Sequence, residues 1–250
     1  MTFSRRPGVR FNRGRIATTA PAAAAPTTPL TILGSLAWWV RADLGITTGT
    51  GVSAWADQSG NGVNFTQGTG ASQPTLVAGA INGQPAVQFD GVDDRMNATL
   101  ARVAPGTQPF YLWMVLKQIT WTAGVRIVGD FVVSGCFIFQ NSASPQIAQH
   151  NGANANSGAG AAVGSYARVE AQFTNTVGDY VKRGATNSTG GNALNNAGGG
   201  TWQLGARGDS AGAPANIEIA EAFLFLGTPS AGQRSSLDAY CTGRYGAGLV

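Results

Sequence analysis

The chain has 250 residues, of which 43% are hydrophobic and only 11% are charged, and its formal net charge is +4. This much hydrophobic content with so little charge excludes a wholly disordered chain. The longest apolar runs, residues 110–116 and residues 220–226 with Glu221 as their one polar residue, have the length of strands and exclude a membrane-spanning helix. The length suits one large all-β domain or two small ones, and the 36 glycines suit many tight turns.

The basic charge is concentrated at the N-terminus. The first 15 residues hold five arginines and no acid, whereas residues 16–250, with eleven Lys/Arg against twelve Asp/Glu, sum to −1. A segment of this composition cannot bury enough surface to fold alone, so residues 1–17 are predicted to form an anchoring arm held by another chain. The predicted partner-binding residues of the arm are Phe3, Arg5, Arg6, Arg10, Phe11, Arg13 and Arg15.

Three interpretations of the arm remain open: docking on a protein, electrostatic binding to nucleic-acid phosphates, and a solvated tail. Apolar residues such as Val9 and Ile16 alternate with the arginines. Arginines combined with aromatic residues are typical of protein interfaces, so docking on a protein is the preferred interpretation.

The composition changes twice after the arm. Residues 18–29 are rich in Ala, Pro and Thr and are predicted to be a semi-rigid linker with extended polyproline geometry. Residues 30–250 are predicted to form one domain of short strands separated by Gly- and Asn-rich turns. Nine strands are predicted, at residues 36–40, 85–90, 110–117, 125–133, 136–140, 166–174, 177–183, 201–205 and 217–226. Many short strands at close spacing are typical of a β-sandwich or jelly roll.

Two of the later segments carry more detailed expectations. Residues 166–174 alternate polar and apolar side chains, which predicts a half-buried strand. One C-terminal helix is predicted to begin with Thr228 as its cap and Pro229 in its first turn. Its apolar face is predicted from the helical spacing of Leu237, Tyr240, Cys241 and Tyr245. Its end is predicted at Gly246. The segments 151–164 and 184–200 are predicted to be loops.

Few residues suit catalysis. The single histidine, His150, is predicted to be a solvated loop residue, and no second histidine offers an alternative base for a Ser-His-Asp arrangement. Glycoside hydrolysis needs two carboxylates facing one cleft. The nearest pair is Glu218 and Glu221, whose spacing of three places them on opposite faces of a regular strand. The sequence therefore predicts a protein that is not an enzyme.

Metal binding has one candidate site. Asp90, Asp93 and Asp94 bring three carboxylates into one turn, and Ca²⁺ prefers several oxygen ligands on a flexible loop. Acidic side chains also occupy turns because they accept hydrogen bonds from the local backbone. This second interpretation, with Arg95 as a charged neighbour, is preferred, and no other cofactor is expected.

Glycan binding would use an exposed aromatic ring as a stacking platform. Trp121 lies beside a turn and is the predicted platform, whereas large aromatics usually pack in a core. The tryptophans predicted to pack in this way are Trp38, Trp39, Trp55, Trp113 and Trp202. Cys136 and Cys241 are predicted to be buried free thiols rather than a disulfide.

Several segments resemble a known family. The first are Trp39-Val-Arg-Ala-Asp-Leu-Gly-Ile, Val52-Ser-Ala-Trp-Ala-Asp-Gln-Ser-Gly-Asn-Gly-Val-Asn-Phe, Gln73-Pro-Thr-Leu and Ile81-Asn-Gly-Gln-Pro-Ala-Val-Gln-Phe-Asp-Gly. The last are Ile219-Ala-Glu-Ala-Phe-Leu-Phe, Gln233-Arg-Ser-Ser-Leu-Asp-Ala-Tyr and Arg244-Tyr-Gly. Together, residues 33–247 resemble the laminin-G-like, concanavalin-A-like jelly rolls of bacterial surface proteins and bacteriophage structural proteins. The resemblance implies two antiparallel sheets packed face to face, and it does not imply a single function.

The resemblance and the arm together suggest a non-enzymatic bacteriophage virion protein, a capsid decoration or head-fibre-like protein assembled in the host cytoplasm. The arm would dock on the capsid or on another virion protein, and a symmetric homo-oligomer is expected. No secretory signal is recognisable, and neither membrane nor nucleic-acid binding is expected. The alternative is a carbohydrate-binding or adhesion module of a bacterial surface protein or a phage tail protein.

Overall fold

A computed structural model describes residues 1–2, 27–100, 109–130, 136–142, 144–151, 156–157, 162–173, 180–183, 186–189, 200–206 and 213–249. The predicted arm residues Phe3, Arg5, Arg6, Arg10, Phe11, Arg13 and Arg15 lie outside the described residues, and so does most of the linker.

The described residues form seventeen short strands, two α-helices and two 3₁₀ turns. The strands are β1 (Trp38–Arg41), β2 (Ile46–Thr48), β3 (Val52–Trp55), β4 (Phe65–Thr66), β5 (Thr75–Ile81), β6 (Gln84–Asp90), β7 (Met96–Thr99), β8 (Phe110–Gln118), β9 (Arg126–Asp130), β10 (Cys136–Gln140), β11 (Ile147–Asn151), β12 (Asn156–Ser157), β13 (Tyr166–Phe173), β14 (Tyr180–Arg183), β15 (Thr186–Thr189), β16 (Thr201–Leu204) and β17 (Asn216–Leu226). The helices are α1 (Pro29–Leu33) and α2 (Ala231–Tyr245), and the 3₁₀ turns are Gly70–Ser72 and Ala247–Leu249.

The strands form two antiparallel sheets, which confirms the predicted two-sheet sandwich. The eight-stranded sheet has the order β15-β14-β13-β8-β17-β6-β5, with β1 also paired to β17. The nine-stranded sheet has the order β12-β11-β10-β9-β16-β7-β4-β3-β2. The main core lies where apolar side chains of both sheets meet, as in other sandwiches of this kind.

The central strand β8 is buried on both faces. Leu112, Met114 and Leu116 contribute to the main core between the sheets. Tyr111 and Trp113 point the other way, into a second core beneath α2. Because both faces are covered, the strand has a continuous apolar sequence, and this run made its bounds predictable.

The second core is formed by the two helices on the outer face of the eight-stranded sheet. Cys241 of α2 lies in this second core, whereas Cys136 lies in the main core between the sheets. Both cysteines are buried and free, which confirms the predicted thiols. Neither helix of the described residues is long and apolar enough to cross a membrane.

Both helices begin with a capping box. Ser230, not Thr228 as predicted, caps α2: its hydroxyl accepts from the Gln233 amide, and the Gln233 side chain accepts from the Ser230 amide. The helix ends at Gly246 as predicted. Thr28 caps α1 through the same reciprocal arrangement with Thr31, so the last residues of the predicted linker begin the folded body.

Some expectations about the strands were wrong. β13 is buried along nearly its whole length rather than half-buried, because α2 covers its polar face. The segments 151–164 and 184–200, predicted as loops, contain β12 and β15. These two strands are short and polar, and each is an edge strand of its sheet.

Truncating a side chain in the main core should destabilise the protein far more than truncating one in an edge strand. Leu224 is 0% exposed in β17, whereas Leu76 in the edge strand β5 is 38% exposed. We expect Leu224→Ala to lower the free energy of unfolding by about 2–5 kcal/mol, because it leaves a cavity between the sheets. Leu76→Ala is the matched control and should change it by less than about 1 kcal/mol. Chemical denaturation measures both, and equal losses would contradict the assignment of the core.

Candidate binding site at the helix and sheet face

The acidic turn after β6 brings together the three predicted carboxylates. Oxygens of Asp90, Asp93 and Asp94 lie within 4.8 Å of one another, and the described residues contain no second group of this kind. Asp90 Oδ1 accepts from the amide of Val92 at 2.8 Å, which confirms the predicted capping of the turn. Among the described residues Arg95 forms no ion pair with these carboxylates, and its Nη1 donates to the Asp93 main-chain carbonyl at 3.0 Å.

Asp94 has an unusual environment within this turn. It is 5% exposed, and burial raises its pKa to about 6. The hydrogen bond from the Asp90 amide opposes this effect, while the neighbouring carboxylates Asp90 and Asp93 add to it. The carboxyl group of Asp94 therefore takes up a proton at a higher pH than an ordinary aspartate does. Backbone amides of the turn donate hydrogen bonds to Asp90 and Asp94.

Trp121 and His150 differ from expectation in their surroundings. Trp121 is only partly exposed, and its Nε1 is buried without a partner among the described residues. His150 lies in β11 rather than in a loop, with its ring stacked 4.6 Å from that of Phe137. Burial and then the nearby Arg126 lower the pKa of His150, so its imidazole is neutral at pH 7. The five remaining tryptophans are at most 5% exposed, as predicted.

Polar side chains also join α2 to the eight-stranded sheet. Glu221 of β17 is 0% exposed. Its carboxylate accepts from Trp39 Nε1 at 2.6 Å, from the Tyr240 hydroxyl at 2.9 Å and from the Tyr245 hydroxyl at 2.7 Å. Burial raises the pKa of Glu221, and the three donors oppose that rise. Glu221 thus ties both tyrosines of α2 to the sheet.

The prediction that Glu218 and Glu221 lie on opposite faces was wrong. A β-bulge between Ile219 and Glu221 adds a residue to β17 and changes the alternation of its side chains. Both glutamates therefore face α2, opposite Lys117 and Val115 of β8.

Although they share a face, these two glutamates do not form an accessible pair. Glu218 forms an ion pair with Lys117 at 2.7 Å and accepts a hydrogen bond from Tyr166. Glu221 is enclosed by Trp39 and the two tyrosines of α2. Both carboxylates are bound by the protein's own donors: Glu218 by residues of the sheet, and Glu221 by residues of both the sheet and the helix.

A second set of charges fixes the first half of α2. Arg168 of β13 is 1% exposed and lies 2.9 Å from Glu170, and it also pairs with Asp238 of the helix. Arg234 of the helix reaches Glu170 at 3.5 Å and lies 5.0 Å above the ring of Tyr111. Two carboxylates therefore compensate the charge of Arg168, because an unpaired charge in this layer would be costly.

A surface pocket of about 840 Å³ lies beside the C-terminal half of α2. Arg41, at the end of β1, and Arg244, in the last turn of α2, line it together with Asn82 and Gln84 at the turn between β5 and β6. Asp43 joins the two arginines, at 2.7 Å from Arg41 Nε and 2.7 Å from Arg244 Nη2. Burial alone would raise the pKa of Asp43, but the hydrogen bonds from the arginines hold it below its usual value.

Sequence reasoning missed this pocket. Its two arginines are separated by about two hundred residues in sequence, and each looks like an ordinary surface residue in its own segment. One signal was present, because both arginines belong to the segments, beginning at Trp39 and at Arg244, that carry the family resemblance.

No protein-family model matches the chain, and no curated protein matches it either. Solved structures do match. A sialidase from Trypanosoma rangeli has a TM-score of 0.57 at 13% identity, over 86% of this chain and 34% of the sialidase. An arabinofuranosidase, complexed with arabinofuranosyl-alpha-1,2-xylobiose, has 0.57 at 14%, over 78% and 51%. The binding domain of botulinum neurotoxin serotype G has 0.56 at 10%, over 81% and 50%.

These similarities define the fold class. The chain is a lectin-like β-sandwich of two antiparallel sheets with a C-terminal helix. It spans about a third to a half of the length of the structures that it matches. At such identities the likeness shows the fold alone, and function has to be argued from the chain's own residues.

The contacts of Glu221 predict that this residue dominates the attachment of α2. Glu221→Ala leaves the Trp39 N–H and two tyrosine hydroxyls without their acceptor, so we expect a loss of about 3–5 kcal/mol in the free energy of unfolding. Glu218→Ala, on the same strand and face, should cost only about 1 kcal/mol, since Lys117 can be hydrated. Denaturation with urea compares the two, and equal losses would contradict the dominant role of Glu221.

Proposed function

We propose that the chain is a non-enzymatic structural protein of a bacteriophage virion, a capsid decoration or head-fibre-like protein whose N-terminal arm docks on the capsid and displays a lectin-like domain. The observation that carries this proposal is the division of the chain into two unlike parts. The described body begins at Thr28 with its own capped helix and closes with α2. Before it lies a segment with five arginines and no acidic residue.

The environment of the acidic side chains supports a role without catalysis. Glu170, Glu218 and Glu221 all form ion pairs or accept hydrogen bonds beneath α2. Glu170 and Glu221 hold the helix on the sheet and Glu218 is paired within the sheet, whereas a hydrolase must present two carboxylates to a substrate cleft. His150 is stacked on Phe137 and belongs to no pair of the kind that activates a nucleophile among the described residues.

The composition of the arm supports docking on a protein. Its arginines can form bidentate contacts with carboxylates, and Phe3 and Phe11 can fill apolar pockets. The body has a charge near zero and would not compete for the same acidic surface. The partner is therefore a capsid protein or another virion protein with an acidic groove, and the chain is present there as a symmetric cluster assembled in the host cytoplasm.

A carbohydrate-binding or adhesion module is the second candidate. The fold shared with two glycosidases and a toxin binding domain supports it. The two candidates differ in what they require of the arm, because a glycan-binding module needs only the body.

The arm is tested by deletion in phage-producing cells. We expect the full chain to co-sediment with assembled particles, and a variant lacking residues 1–26 to keep its melting temperature but to stay in the supernatant. Replacing Arg5, Arg6, Arg10, Arg13 and Arg15 by alanine should weaken incorporation about tenfold or more, because several charge-assisted hydrogen bonds are lost. The matched control replaces the same five residues by lysine, which keeps the charge.

Two results would contradict the proposal. Incorporation of the truncated chain into particles would show that the arm is not the anchor. Absence of the full chain from every particle fraction would overturn the virion role itself, while leaving a function of the body in glycan binding open to separate measurement.

A further inference from the structure

The pocket beside α2 is built by four separate parts of the chain. The helix contributes one face, on which Ser236, Ala239, Tyr240 and Gly243 follow helical spacing. The end of β1, the turn between β5 and β6, and residues 27–28 form its other walls. The pocket therefore exists only when α2 is packed on the sheet.

The lining of this pocket is positively charged. Arg41 and Arg244 line it, and no acidic residue does. The two guanidinium groups share the single carboxylate of Asp43, which leaves one positive charge uncompensated by that partner. The buried Glu221 accepts the Tyr240 hydroxyl and does not line the pocket. The site therefore favours an anion.

Both arginines are held in place before any ligand arrives. Arg41 lies 5.4 Å from the centre of the Trp39 ring, and Arg244 lies 5.4 Å from that of Tyr245. Their side chains are 14% and 19% exposed, so part of each guanidinium still faces solvent. A fixed guanidinium loses little conformational freedom on binding, which favours affinity.

Hydrogen-bonding groups remain available around the arginines. Arg244 uses Nε and Nη2 for Tyr245, Gln84 and Asp43, which leaves Nη1 without a partner among the described residues. Gln84 accepts from Arg244 at 2.7 Å through Oε1, and its amide nitrogen has no partner in the described part of the chain. Asn82 donates to the Arg244 carbonyl at 2.9 Å, and its own carbonyl oxygen stays free in that same part. A charged donor thus stands beside a neutral donor and a neutral acceptor.

Gly243 of α2 is an exposed glycine in the lining of the pocket. Gly243 lies in the last turn of α2, and glycine is among the poorest helix formers. A Cβ at this position would meet no described atom within 4 Å, so no close contact requires its absence. What the missing side chain does provide is open space in the pocket.

We propose that this pocket binds an acidic monosaccharide unit, a hexuronic or nonulosonic acid, with its carboxylate on Arg41 and Arg244 and its hydroxyl groups on Gln84 and Asn82. The arm cannot supply the anion, because the first acidic residue of the chain is Asp43. An acidic peptide fits less well, since peptide partners anchor large apolar side chains and this lining has small or polar groups beside one tyrosine. Sugars combine hydroxyl groups with one carboxylate, which matches the donors and acceptors present.

The test compares ligands that differ by one group. The full chain is titrated by calorimetry with methyl β-D-glucuronide, with N-acetylneuraminate and with methyl β-D-glucoside, which lacks the carboxylate. We expect at least one of the two acidic sugars to bind and the neutral glucoside to bind about tenfold or more weakly, since a charge-assisted hydrogen bond is lost. Acetate, which has the carboxylate alone, should also bind about tenfold or more weakly. Equal binding of the acidic and neutral sugars, or of acetate and the sugars, would overturn the proposal.

Substitutions test whether the acidic sugar binds in this pocket. Arg244→Gln should weaken the acidic sugar about tenfold or more, and Arg244→Lys should weaken it as well because a flexible ammonium group does not keep the fixed position of Nη1. Gly243→Gln removes no interaction and should block the pocket, while Gly232→Gln in the first turn of the same helix is the matched control with unchanged affinity. If neither acidic sugar binds, or if Gly243→Gln binds as tightly as the original chain, the assignment is wrong. Sugar binding and docking on particles are measured in separate experiments, so the failure of one proposal can be told apart from the failure of the other.

Discussion

The structure depends on how the outer face of the eight-stranded sheet is covered. Glu221 is fully buried there, and it accepts hydrogen bonds from Trp39 on the sheet and from Tyr240 and Tyr245 on α2. A buried carboxylate without such donors would be strongly destabilising, so the helix and the sheet require one another. The pairs that Arg168 forms with Glu170 and Asp238 extend the same constraint toward the start of the helix.

This constraint links stability to function. Glu170 and Glu221 attach α2 to the sheet, and Glu218 is paired within the sheet. The attachment of α2 also places Arg244 beside Arg41, and these two residues give the pocket its charge. The body is thus a preassembled module, whereas the arginine-rich segment before it carries the docking role that we propose.

Some of this could be predicted from the sequence and some could not. A continuous apolar run gave β8 nearly to the residue, because a strand buried on both faces is apolar throughout, and the bounds of β17 were also predicted to within one residue although it contains Glu218 and Glu221. The bulge beside Glu221 has no local signal, so the side of the sheet that this residue faces was predicted wrongly. Trp39 and Glu221 are 182 residues apart, and their contact arises only from the tertiary fold. Arg41 and Arg244 are also far apart in sequence, so the pocket between them could not be predicted.

The central claim is that α2 is an inseparable part of the sandwich. Native-state hydrogen exchange on the full chain tests it most directly, because it gives a free energy of opening for each segment. If buried polar contacts bind the helix to the sheet, the interior amides of α2 should exchange with the same free energy of opening as those of β8 and β17. A clearly lower value for α2 would show that the helix detaches while the sandwich stays folded, and it would contradict this account.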